Sequence, residues 1–154
     1  MYPLILGIHS ILRWLVLAAG FAAFARAVSA SRAGRDWTPG DERAGFWFTL
    51  AVDVQFLIGL ALYAGLSPLT RLAFDDFGAA MGNTVMRFWA VEHIFGMTMG
   101  LALVHVGRVR IRKLSDAQRR HKLAAVFFGL ALLAILLTIP WPGMPAGRPL
   151  FRTL

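Results

Sequence analysis

The sequence predicts an all-α integral membrane protein, a four-helix up-and-down bundle, and three observations carry that reading. Four stretches of about 20 residues or more hold almost no charge, which is the length an α-helix needs to cross a hydrocarbon core. The composition agrees: 58% of the 154 residues are hydrophobic and only 16% charged, with a mean hydropathy of +0.63, far more apolar than a soluble domain. The basic residues, finally, collect in the links between the apolar stretches. Four spans fill a chain of this length, so residues 1–154 are expected to form a single transmembrane domain with no separate catalytic unit.

The first span covers residues 4–28, where Arg13 is the one charge before Arg26. Only Met1, Tyr2 and Pro3 precede it, with no basic residue and no small-residue cleavage site after a short apolar core, so it is expected to be retained rather than removed as a signal. The second span, residues 44–66, carries only Asp53, and the third, residues 85–109, carries Glu92 as its one acid. The fourth, residues 117–139, is free of charge from Leu123 to Ile139 and closes at Pro140, Trp141 and Pro142, where an interface favours Trp. The link from Ser67 to Met86 opens with Ser67 and Pro68, an N-cap and first-turn pair, followed by Leu69, Leu72, Ala73 and Phe77. It predicts a short interfacial helix over one mouth of the bundle.

Arg26, Arg32, Arg35 and Arg43 lie between the first two spans, and Arg108, Arg110, Arg112, Lys113, Arg119, Arg120 and Lys122 between the last two. The opposite side carries only Arg71, Arg87, Arg148 and Arg152, so the positive-inside rule places both termini outside and both basic links in the cytoplasm. The net charge of +8 is thereby explained by topology and anionic lipid headgroups, and no nucleic-acid partner is expected. Cysteine is absent, which excludes disulfides, thiolate-bound clusters and cysteine nucleophiles. Metal chemistry falls to His, Met and carboxylates.

All four histidines lie within or at the edge of a span: His9 in the first, His93 and His105 in the third, His121 at the start of the fourth. At about 1.5 Å of rise per residue, His9 and His93 share an outer level and His105 and His121 a less closely matched inner one. A haem with two axial imidazoles needs one His from each of two helices at matched depth, and the chain offers two such pairs. His93 and His105, about 18 Å apart along one helix, cannot serve one iron together. Gly96 and Gly100 form a G-x-x-x-G beside His93 that permits close approach of a helix or a porphyrin face. Met97 and Met99 are secondary candidates as soft ligands, although Met in an apolar helix usually packs.

Arg13 follows His9 by one helical turn and needs a partner at membrane depth, with Asp53 and Glu92 as the available acids and Gln55 as a neutral companion. A cluster of Arg13, Asp53 and Glu92 would clamp the helices together. Alternatively Arg13 holds a haem propionate while Glu92 orients His93 or relays a proton.

At His9-Ser10-Ile11-Leu12-Arg13-Trp14, Val91-Glu92-His93, Arg120-His121-Lys122 and Ile139-Pro140-Trp141-Pro142, the chain resembles small bacterial four-helix membrane proteins labelled as b-type cytochromes. It is also similar to four-helix di-haem cytochromes in which one helix supplies two His twelve residues apart. The resemblance implies a multi-pass protein of the bacterial inner (cytoplasmic) membrane that holds one or two b haems on His9, His93, His105 and His121. It further implies electron transfer with a membrane quinol or quinone, or with another redox partner. Competing expectations are a copper or zinc protein for transport or sensing built on His9, His93, Glu92 and Met97, and a non-catalytic subunit of a larger complex. A proton-coupled transporter ranks last, since no inverted repeat or broken helix is visible. A homodimer or a partner subunit fits so small a chain.

Overall fold

A computed structural model describes residues 1–151. Its regular elements are helices, with no strand among the described residues. Helix α1 spans Tyr2–Arg32 and starts on Pro3, whose fixed φ and missing N–H suit a first turn. It stops at Gly34, which takes the left-handed φ of 64° that closes a helix. Helix α2, Pro39–Ala61, starts on Thr38-Pro39. The Asp41 carboxylate accepts from the Thr38 N–H at 2.8 Å and from its hydroxyl at 2.5 Å. Asp41 also pairs with Arg26 at 2.7 Å and Arg35 at 3.0 Å, so one buried acid fastens the α1–α2 link. A π-helical turn, Leu62–Leu66, continues α2.

The link between the second and third spans folds into α3 (Pro68–Asp75), α4 (Phe77–Gly82) and α5 (Thr84–Arg87). Ser67 caps α3 by accepting from the Thr70 N–H at 3.4 Å, as its place before Pro68 predicts. Ala73, Ala80 and Ala90 seat these short helices on the bundle, and a second π turn, Phe88–Glu92, leads into α6, His93–Arg112. Helix α7, Ala117–Thr138, is capped by Asp116, which accepts from the Arg119 N–H at 2.7 Å.

Tyr2–Arg32, Pro39–Leu66, Thr84–Arg112 and Ala117–Thr138 are each long and apolar enough to cross a membrane. The chain is a multi-pass, all-α membrane bundle. Helix α1 packs on α2 and α7, and α6 packs on α7 and α2, so α1 and α6 stand diagonally opposite. Phe48, Val104, Phe128, Ala131 and Leu132 fill the centre, Phe48 meeting Phe128 edge-on at 5.6 Å. Leu57, Phe95 and Leu137 point outward, as expected where lipid is the solvent.

Lipid tails are as apolar as leucine, so helix association in a bilayer relies on close packing of small residues. A Cβ on Gly96 would collide with the Thr138 side chain, one on Gly100 with Ile135 and one on Gly107 with Phe127. The G-x-x-x-G of α6 therefore admits helix α7. At the end with the basic links, the buried Arg108 donates to the Glu42 carbonyl at 2.9 Å and pairs with its carboxylate at 3.0 Å. Arg112 and Arg120 reach the same carboxylate at 2.9 and 3.4 Å, which ties α2, α6 and α7 together.

At the other end the tail after Thr138 folds back. Gly143 turns it with a φ of 91°, the Arg148 N–H donates to the Pro140 carbonyl at 3.0 Å, and Phe151 stacks on Trp14 at 5.5 Å.

Candidate functional site

The diagonal placement of α1 and α6 turns His9 and His93 towards each other across the half of the bundle nearest the termini. Their rings lie 6.5 Å apart between centroids, inclined by 72°. Two imidazoles on opposite sides of one metal ion, each bound through a nitrogen at about 2.0 Å, have centroids about 6.3 Å apart. The two rings line a cavity of about 140 Å³ that also touches Arg13, Gly59, Trp89, Met97 and Arg148.

Each ring is positioned by its surroundings. His93 donates from Nδ1 to the Thr138 carbonyl at 2.7 Å. That carbonyl is free because α7 ends there. The bond fixes the ring and leaves Nε2 for another task, the arrangement that commonly orients a metal-binding histidine. Trp89 and Phe88 pack on the same ring at 5.5 and 5.8 Å. His9 stands against Gly59 of α2, where a Cβ would come within 2.9 Å of its Cε1. Gln55 donates to the His9 backbone carbonyl at 2.9 Å and locks α1 to α2 at this level. Nδ1 of His9 is buried without a hydrogen-bond partner.

Arg13 finds neither acid. Its Nη2 donates to the Leu150 carbonyl at 2.6 Å, shared with Trp14 Nε1 at 3.2 Å. Helix α1 has 31 residues and is thus about 46 Å long, which exceeds the hydrocarbon thickness and brings Arg13 close to the mouth, within reach of the returning tail. Glu92 pairs with Arg87 at 2.7 Å and Asp53 meets His105, so the expected Arg13–Asp53–Glu92 cluster is replaced by three separate partnerships. The orienting partner of His93 is the Thr138 carbonyl, and not Glu92.

His105 and His121, expected to form a second pair, are not brought together. His105 Nε2 lies 2.7 Å from Asp53 Oδ1, on the seam of α6 with α2. His121 is fully buried against Trp37, 4.9 Å between centroids, in a small niche that also includes Arg26, Asp41 and Phe128. The reason is rotational. At about 100° per residue, His105 sits about 140° from Gly100 and 160° from Gly107 around α6, so when the glycines face α7 the histidine faces away from it. His93 sits only about 20° from Gly100 and faces the end of α7.

Comparison with known protein families, curated proteins and solved structures finds no match to this chain. The site is therefore read from its own chemistry. Among the described residues no group of three or more His, Asp or Glu side chains converges. Two imidazoles fall short of the three or four protein donors that zinc usually takes. They suit a metal that arrives with its equatorial ligands already in a macrocycle, as iron does in haem.

Several residues in or beside the cavity were not legible as site residues. Thr138 contributes only a backbone carbonyl, Gly59 only the absence of a side chain, and Arg148 enters because the tail folds back.

Proposed function

We propose that this protein is a b-type cytochrome of a bacterial inner membrane, one haem held between His9 and His93 in the half of the bundle nearest the termini. The observation that carries this is the 6.5 Å separation of the two rings across the bundle. Haem iron, when bound, supplies a one-electron couple.

The chain's own residues account for the rest. The Thr138 carbonyl holds His93 in one tautomer with Nε2 free, and Gly59 leaves the space in which the His9 ring stands. Arg13 and Arg148 bring two guanidinium groups to the same cavity, the chemistry that recognises carboxylates such as the haem propionates. Trp89, over which the Arg148 guanidinium sits at 5.2 Å, packs on the His93 ring. The excess of Lys and Arg in the two links opposite the termini favours both termini outside the cytoplasm. Electrons would pass to or from a quinone in the bilayer or a redox partner at the outer face.

The test is to express the chain in haem-replete cells, purify it in detergent, and record oxidised and reduced visible spectra with a haem-to-protein ratio. One low-spin b haem per chain is expected. It should be lost or converted to high spin in His9→Ala and His93→Ala, and kept in His105→Ala and His121→Ala. A folded wild-type protein with no haem would overturn the proposal.

A further inference from the structure

Two ionisable side chains at membrane depth face out of the bundle. His105 and Asp53 meet at 2.7 Å on the α2–α6 seam, yet their side chains remain 52% and 36% exposed. Asp53 lies about 20 Å from either end of the helical run Pro39–Leu66, well inside a hydrocarbon core. Ionisable groups in such a place ordinarily face the bundle interior or a water-filled cavity, because hydrocarbon cannot solvate them. Neither cavity described above is lined by this pair. On α2 the exposed Leu50, Leu57 and Leu60 flank Asp53 at spacings of three and four residues, the repeat of a face that packs on another helix. On α6 the exposed Thr98, Ala102 and Val109 flank His105 in the same way. Thr98 and Ala102 are small, which is what lets helices approach closely in lipid. Because α2 and α6 run in opposite directions, constant rise sets them level with Leu60 and Leu57, and Val109 level with Leu50.

We infer that the α2–α6 face is the contact between two copies of this chain, related by a two-fold axis that passes beside the His105–Asp53 pair. Helix α2 of one copy lies against α6 of the other, so Leu57 and Leu60 meet Ala102 and Thr98. A two-fold contact must be self-complementary, since what one residue offers across it is returned on the other side. The pair meets that condition. An imidazole protonated on both nitrogens donates twice, from Nε2 to Asp53 of its own copy and from Nδ1 to Asp53 of the second copy. Each carboxylate accepts from two rings, one through each oxygen, and the four groups carry no net charge. A lipid tail offers neither donor nor acceptor to such a pair. The inference does not rest on the haem reading.

The test uses the full chain in membranes and in detergent. Chains carrying Leu57→Cys and Ala102→Cys, each with its own epitope tag, are co-expressed and treated in membranes with a short bismaleimide. The chain has no native cysteine, so any product joins the introduced positions. A species carrying both tags is expected, and none when Leu57→Cys is replaced by Leu130→Cys on the exposed face of α7. In detergent, light scattering should give the wild type the protein mass of two chains. Ala102→Trp and the double variant Asp53→Leu with His105→Leu should halve that mass while circular dichroism still shows a cooperative helical melt, and Leu130→Trp should leave it unchanged. Where a variant does not fold, the doubly tagged species in membranes decides. A wild type that is monomeric in detergent and gives no doubly tagged species would overturn the inference, as would a dimer whose mass Ala102→Trp leaves intact. Cross-linking of Ala102→Cys to a different protein, with no doubly tagged species, would overturn it too and give this face to another subunit.

Discussion

Gly59→Ala tests the candidate haem site through a residue that cannot itself be a ligand. The added Cβ would lie 2.9 Å from His9 Cε1, whereas ordinary contact begins at 3.4 Å, so the ring must move by about half an ångström. Metal–ligand distances tolerate only about 0.2 Å, so a displaced His9 would no longer hold the proposed haem, while His93 could still do so. The expected result is a shift of the visible spectrum from low to high spin, with haem retained about 10- to 100-fold less tightly, the range typical of a disturbed supporting residue. Misfolding is a poor alternative explanation, because Gly to Ala within a helix favours helix by up to about 1 kcal/mol. Gly65→Ala, where a Cβ meets nothing within 4 Å, should leave the spectrum unchanged. A Gly59→Ala protein with full, tightly held, low-spin haem would refute the proposal that His9 holds the haem.

Three further outcomes follow from the packing. Arg108→Ala removes a buried guanidinium held by both the carbonyl and the carboxylate of Glu42, and should lower stability in detergent by about 1–3 kcal/mol. Arg112→Ala, at the same carboxylate but 58% exposed, should cost under about 1 kcal/mol, and equal melting temperatures for the two variants would contradict this ranking. Gly96→Ala drives a Cβ into the Thr138 side chain and should destabilise the α6–α7 contact by about 1–3 kcal/mol, checked by thermal unfolding in detergent. Because the chain has no native cysteine, single substitutions report topology directly. A membrane-impermeant maleimide on intact cells should label Gly78→Cys and spare Ala33→Cys, and the reverse pattern would invert the orientation.

What the sequence determined by itself was the solvent and the architecture. A run such as Leu123 to Ile139, with no charge, has one stable home, and a helix is the structure that satisfies its backbone there. Ser67 before Pro68 was enough to place the start of α3, since capping is a matter of adjacent residues. Depth was equally readable, because rise per residue is constant, and it set His9 and His93 at one level.

Direction around each helix was decided only by tertiary packing. Gly96, Gly100 and Gly107 pull α6 onto α7, and that single rotation sends His93 to the Thr138 carbonyl and His105 to Asp53, away from His121. The π turn at Phe88–Glu92 compounds this, since it departs from 3.6 residues per turn just before His93, at Glu92, which pairs with Arg87. Arg13 was matched to buried acids on a count of charges, yet a backbone carbonyl of the folded-back tail satisfies it. Which residues stand at one depth is a local property of the chain, whereas which of them meet is fixed by the close contacts that choose each helix's facing side.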